Sequence, residues 1–128
     1  MALGVARKVF IVDDDVMLTE ALKDFIKRKT PHEVITFGTG EECLKHAGEK
    51  PDVVILDYYL NTEQKDAANG MEVLQSIKKY YPDIHVVMLS SQERYAVAMQ
   101  TIQKGAEHYV IKNEKSFDEI VSILNGIS

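Results

Sequence analysis

Apolar residues along this chain come in short bursts, separated by longer stretches in which they recur every three or four positions. Val9-Phe10-Ile11-Val12 is a run of β-formers, stopped by three aspartates, Asp13, Asp14 and Asp15. Leu18, Leu22, Phe25 and Ile26 then keep the i, i+4, i+7, i+8 spacing of one helix face, and Thr30-Pro31 ends that helix. Glu33 to Phe37 reads as a second strand. Thr39-Gly40-Glu41-Glu42 has the form of a capping box and opens a second helix, with Leu44 and Ala47 inward and Gly48 near its end. Val53 to Leu56 is apolar at every position, as a strand is when both faces of its sheet are covered. A polar loop from Asn61 to Asn69 leads to a third helix carried by Met71, Leu74 and Ile77 and closed by Pro82. His85 to Leu89 is a fourth strand, Ala98, Met99 and Ile102 mark a fourth helix ending at Gly105, and Tyr109 to Ile111 is the last strand. Ser116-Phe117-Asp118-Glu119 is a second capping-box sequence, opening a final helix with Ile120, Ile123 and Leu124 inward.

Strands that alternate with helices in this way build βαβ units on a parallel sheet. The expected fold is therefore α/β: a five-stranded, doubly wound parallel sheet. Right-handed crossovers favour the flavodoxin-like strand order 2-1-3-4-5. The 128 residues suffice for one such domain, with a core from about residue 8 to 127 and no repeat or linker.

Composition narrows the function. With 45% hydrophobic and 27% charged residues the chain is globular rather than disordered. Twenty Asp and Glu against 15 Lys and Arg leave a net charge of −5, which argues against nucleic acid or an anionic membrane as partner. The lone Cys43 closes no internal disulfide, and apolar runs such as Val9 to Val12 are too short to span a membrane. Both point to the cytoplasm.

In an open α/β sheet, ligands bind beyond the carboxyl ends of the strands, where the strand order reverses. That edge collects Asp13 and Asp14 after the first strand, Asp57 after the third, Ser90 and Ser91 after the fourth and Lys112 after the fifth. Carboxylates ~4 Å apart repel by about 4 kcal/mol at an effective dielectric near 20, so the cluster calls for a cation. All-oxygen donors suit Mg²⁺ or Mn²⁺, and a partial carboxylate shell is typical of Mg²⁺ sites that also meet a phosphate. Asp57 could serve as an acyl-phosphate nucleophile, with Lys112 and the Ser90 hydroxyl on the phosphoryl oxygens. Each residue also has an ordinary use. Asp14 or Asp15 could cap the first helix, Ser90 with Glu93 could cap the fourth, and Lys112 could be a solvated charge.

Taken together, Val12-Asp13-Asp14, Leu56-Asp57, Leu89-Ser90, and Gly105-Ala106 followed by Tyr109 and Lys112 resemble the receiver domain of two-component response regulators, from Lys8 to about Ile127. The resemblance implies a phosphoacceptor rather than a turnover enzyme. Asp57 would take a phosphoryl group from a sensor histidine kinase or a histidine phosphotransfer protein. Asp13, Asp14, Asp57 and the backbone carbonyl of Tyr59 would hold Mg²⁺, and Ser90 and Lys112 would contact the phosphoryl group. Ser90 and Tyr109 would be the switch, changing the face made by the fourth helix, fifth strand and fifth helix. That face would meet a downstream protein, an output domain or, as a homodimer, a second copy.

Three positions depart from the family pattern. Asn113 follows Lys112 where a proline after a cis bond is usual, Asn61 replaces a proline, and the loop after Asp57 is longer than usual. That loop is expected to adjust acyl-phosphate lifetime or kinase choice. Among other readings, Asp13-x-Asp15 is similar to the nucleophile–acid pair of haloacid-dehalogenase phosphatases, which need a longer chain. A flavin-nucleotide site would want a glycine- and hydroxyl-rich loop where three aspartates stand. A receiver-like binding module without phosphorylation would not need the full acidic, Ser and Lys set. His32, His46, His85 and His108 show no ligand spacing.

Overall fold

The computed structural model describes residues 6–60 and 69–127. Five strands, β1 (Lys8–Val12), β2 (Glu33–Phe37), β3 (Val53–Asp57), β4 (His85–Ser90) and β5 (His108–Ile111), form one parallel sheet in the order 2-1-3-4-5. The expected Asn61–Asn69 loop lies, apart from Asn69, outside the described residues. The helices are α1 (Val16–Lys29), α2 (Gly40–His46, continued by a 3₁₀ turn Ala47–Glu49), α3 (Gly70–Tyr80), α4 (Tyr95–Gln103) and α5 (Ser116–Gly126).

The alternation along each strand divides the interior into two cores. Phe10, Val12, Val54, Leu56, Val86 and Met88 face α2 and α3, meeting Cys43, Val73, Leu74 and Ile77. Val9, Ile11, Ile55, Val87, Leu89 and Val110 face the other way, against Leu22 and Ile26 of α1 and Ile120 and Leu124 of α5. Burying one such side chain stabilises by about 1.5–3 kcal/mol, so the strand registers are tightly held.

Local signals mostly act as expected. Asp15 caps α1 by accepting from the Leu18 N–H at 3.1 Å, and Asn69 and Glu72 form a reciprocal capping box on α3. Thr39 caps α2 through the Glu42 N–H. The Ser116 sequence does not cap α5: Ser116 already lies inside the helix, and its hydroxyl donates to the Asn113 carbonyl. The preceding turn is held by Asn113 Oδ1, which accepts from the Lys115 N–H. Leu44 of α2 packs inward against the core, partly buried, beside the fully buried Cys43, whose thiol burial pushes up to about 12, so it is inert. On α4, Thr101 is buried while Met99 and Ile102 are about two-fifths exposed. The Lys112–Asn113 bond is trans, as are the other described peptide bonds.

The opposite, amino-terminal edge of the sheet contains two histidines held neutral. His32 Nδ1 accepts from the Arg7 N–H at 3.0 Å, while its Nε2 is buried without a partner. His85 stacks on His108 with ring centroids 5.3 Å apart, and its Nε2 is also buried and unpartnered. Burial lowers the pKa of both, assisted by Arg7 at His32 and by His108 and Lys78 at His85, against Asp52 and Glu107 respectively. A folded pKa below the unfolded value of 6.5 favours the fold fully above pH 6.5, and that contribution is lost as pH falls below it. In an NMR pH titration both rings are expected to titrate below 6.5. A midpoint above that value at either ring would contradict this account.

Candidate functional site

Each strand end delivers one part of the site. Where β1 stops, the Asp13 N–H still bonds the Phe37 carbonyl at 3.1 Å, and Asp13 Oδ1 accepts from the Asp15 N–H at 2.9 Å. This turn leaves Asp15 as the cap of α1 and directs Asp13, only 3% exposed, towards β3. Engaged as the cap, Asp15 is not placed as the acid of a phosphatase pair. Asp57 is the last residue of β3 and equally buried. The Lys112 N–H extends the β4–β5 ladder to the Ser90 carbonyl at 2.8 Å, which carries the lysine across the strand ends.

The Lys112 ammonium lies 3.1 Å from Asp57 Oδ1 and 3.4 Å from Asp13 Oδ2. Asp57 Oδ1 is buried, and among the described residues this ion pair is what meets it. Asp13, Asp14 and Asp57 can bring one oxygen each within 4.8 Å of one another, the only such cluster of three among the described residues. They line an open depression of about 620 Å³ with Tyr59, Ser91 and Lys112. Hollows of about 480 and 460 Å³ at the amino-terminal edge contain no such cluster.

The electrostatics record the crowding. Burial, joined by the Asp57 charge, pushes Asp13 up to about 6 from the ordinary 3.8, against the Asp15 N–H and Lys112. Burial would lower the Lys112 ammonium, but the Asp57 and Asp13 charges outweigh it and hold it above its usual value. One ammonium serves two buried carboxylates, with a third carboxylate alongside. Two buried carboxylates sharing one ammonium, an elevated carboxyl and an all-oxygen donor set fit a small, hard divalent cation.

Ser90 is fully buried and does not cap α4, which starts five residues later at Tyr95 behind Arg94. Its Oγ instead accepts from the Gln92 N–H at 2.9 Å, and the Tyr109 hydroxyl donates to the Gln92 carbonyl at 2.7 Å. Two residues of this site carry no recognisable sequence signal. One is Gln92. The other is Gly70, where an added Cβ would stand 2.3 Å from the Asp57 carbonyl oxygen.

The family model for the response regulator receiver domain matches residues 9–125. The chain belongs to that family. The receiver is 36% identical over 107 residues to the probable C4-dicarboxylate response regulator DctR of Bacillus subtilis, covering 82% of this chain and 45% of that protein. It is 32% identical to a protein-glutamate methylesterase/protein-glutamine glutaminase of Clostridium acetobutylicum, covering 87% of this chain and 32% of that protein. The chain thus spans about half or less of the length of these curated relatives. Among solved structures it superposes on the receiver domain of NtrX from Brucella abortus with a TM-score of 0.80 at 25% identity, covering 91% of this chain and 94% of that one. The receiver is a signalling domain of two-component systems, and phosphotransfer is the standard mechanism of its family. No helix among its described residues is long and apolar enough to cross a membrane.

Proposed function

We propose that Asp57 accepts the phosphoryl group. The observation that carries this is its buried Oδ1, 3.1 Å from the Lys112 ammonium in the acidic depression. An Asp57 carboxylate oxygen attacks the phosphorus of a phosphohistidine on a histidine kinase or phosphotransfer protein. The new O–P bond replaces the P–N bond, and the imidazole leaves with its electron pair and takes up a proton. Lys112 and the Ser90 hydroxyl meet the negative charge on the transferring oxygens, acting as oriented donors. Asp13, Asp14, Asp57 and the Tyr59 carbonyl would hold Mg²⁺, with Mn²⁺ as a substitute. When bound, the ion screens carboxylate from phosphoryl charge, which is otherwise repulsive.

The readout lies beside β5. Tyr95 is 78% exposed and, with Met99 and Ile102, gives α4 an apolar stripe at i, i+4 and i+7 that the fold leaves uncovered. A downstream protein, an output domain or a second copy would cover it with β5 and α5. The setting is the cytoplasm, where kinase phosphoryl donors are made.

Incubation with acetyl phosphate and Mg²⁺ is expected to add one phosphoryl group by intact-protein mass, and Asp57→Asn to abolish it. Omitting Mg²⁺ should slow the wild type by more than tenfold. A wild type that gains no phosphoryl group, or an Asp57→Asn variant that gains one as fast, would refute the assignment.

A further inference from the structure

Arg7, immediately ahead of β1, ties together β2, β3 and the end of α5 at the amino-terminal edge of the sheet. Its backbone N–H donates to His32 Nδ1 at 3.0 Å, and its carbonyl accepts from the Glu33 N–H at 2.9 Å. Its guanidinium donates to the carbonyl of Ile127, just past α5, at 3.0 Å and lies 3.9 Å from Asp52 Oδ1. Asp52, ahead of β3, is itself fixed, because its Oδ2 accepts from the Lys8 N–H at 2.8 Å. Ile127 is otherwise lightly held. Its N–H reaches the Leu124 carbonyl at 3.4 Å, it packs only partly on the core, and it lines both amino-terminal hollows.

The bond to His32 exists in one protonation state only. A backbone N–H can only donate, so Nδ1 carries a lone pair and the ring is neutral, with its proton on Nε2. An imidazolium has no acceptor. Protonation would set a second N–H against that of Arg7 and place a positive charge beside the guanidinium. The ring has little room to turn away: it is buried, and the His32 N–H is held by Thr30 Oγ1, itself bonded to the Ile26 carbonyl of α1. The charged groups acting on the ring are Arg7, which opposes its protonation, and Asp52, which favours it. Lys8 is paired with Glu49, Lys29 and Glu33 are exposed, and Asn125 to Ile127 bring no titratable side chain. An imidazolium therefore repels Arg7 and draws Asp52 towards itself, and both changes loosen the hold on Ile127.

We infer that His32, Arg7 and the Ile127 carbonyl form a proton-operated latch on the end of α5, closed while the imidazole is neutral and released when it takes up a proton. The latch lies at the edge of the sheet opposite the acidic depression, and its working needs neither a metal ion nor a phosphoryl group. It gives this receiver a second input, acidity, that acts on one of the helices of the proposed readout face.

The test is NMR of the whole chain in EDTA, without a phosphoryl donor, from about pH 8 to about pH 5, the span in which imidazoles titrate. In wild type the hydrogen-exchange protection of the Gly126 and Ile127 amides, corrected for the intrinsic effect of pH, should fall about fivefold, the effect of one lost hydrogen bond. The midpoint of that fall should coincide with the midpoint of the His32 ring. His32→Asn places an amide oxygen near the position of Nδ1 and does not titrate, so protection should stay at its neutral-pH level throughout. Arg7→Gln removes the guanidinium but keeps the backbone N–H, so protection should be low at every pH while the His32 midpoint rises. Wild-type amides that keep their protection through the His32 midpoint overturn the inference. So does a His32→Asn variant that still loses protection, as it would if His85 were the group responsible, or an Arg7→Gln variant that behaves as wild type. If His32→Asn does not fold, the wild-type titration and Arg7→Gln still decide between these outcomes.

Discussion

Asp13→Asn is expected to make the metal-free receiver more stable and the Mg²⁺-loaded one less stable than wild type. The sign comes from linkage. A carboxyl raised to about 6 in the fold, against 3.8 when unfolded, favours folding below pH 4 and loses that contribution as pH rises through 6. At neutral pH the ionised Asp13 therefore opposes the fold. After allowance for screening across the open depression, the penalty is about 2 kcal/mol. Asparagine keeps the shape and can still accept from the Asp15 N–H, but removes the charge that burial and Asp57 oppose. In EDTA at pH 7 the variant should melt about 7 °C above wild type. Saturating Mg²⁺ reverses the order, because a cation at a hundred times its Kd adds about 2.7 kcal/mol only to a site that still binds it. Thermal melts across a Mg²⁺ series decide the matter. A variant less stable in EDTA would show that Asp13 carries no electrostatic penalty, and one stabilised by Mg²⁺ as much as wild type would show that Asp13 does not bind the ion.

The same cluster shows what could be read before any coordinates. Short runs of β-formers placed β1 to β5 within a residue of their observed limits, most plainly for β1, β3 and β4, which are covered on both faces. The five-strand alternation left the 2-1-3-4-5 order as the expected one, and that order put Asp13, Asp14, Asp57 and Lys112 at one edge. What stayed illegible depended on non-local packing. Periodicity marks Met99 and Ile102 as a helix face but does not say whether anything covers it. Leu44 and Cys43 are adjacent and both apolar, and only the pitch of α2 over β1 makes Cys43 the more deeply buried. Ser116 and Ser90 have capping chemistry, yet each is drawn into a tighter local bond, to Asn113 and from Gln92. Gln92 itself looks like any polar loop residue. Its role follows from where two backbone atoms point, which side-chain chemistry does not encode.

Gly70 is the other residue that only the packing explains, and Gly70→Ala should be among the most damaging single changes in the chain. Alanine is the better helix former by about 1 kcal/mol, so propensity alone would stabilise α3. The position, however, presses against the turn after β3. The new Cβ would lie 2.3 Å from the Asp57 carbonyl oxygen, 2.8 Å from Tyr58 Cα and 2.9 Å from the Tyr58 carbonyl oxygen. All three neighbours are backbone, so no rotamer change relieves the overlap. The start of α3 must withdraw, although the Asn69–Glu72 capping box and the Gly70 N–H bond to the Tyr58 carbonyl hold it in place. Otherwise the turn carrying Asp57 must shift. Overpacking of this kind costs about 1–3 kcal/mol, enough to outweigh the gain in propensity. The functional loss should exceed the loss of stability. Displacing a reacting group by about 1 Å can lower a rate a hundredfold, and the carboxylate that moves is the proposed phosphoacceptor. At a temperature where Gly70→Ala is still folded, its phosphorylation by acetyl phosphate should therefore fall more than tenfold while Asp13 and Asp14 remain in place. Retained phosphorylation with a lowered melting point would mean that α3 yields rather than Asp57, and an unchanged melting point would mean that the contact is not a constraint at all.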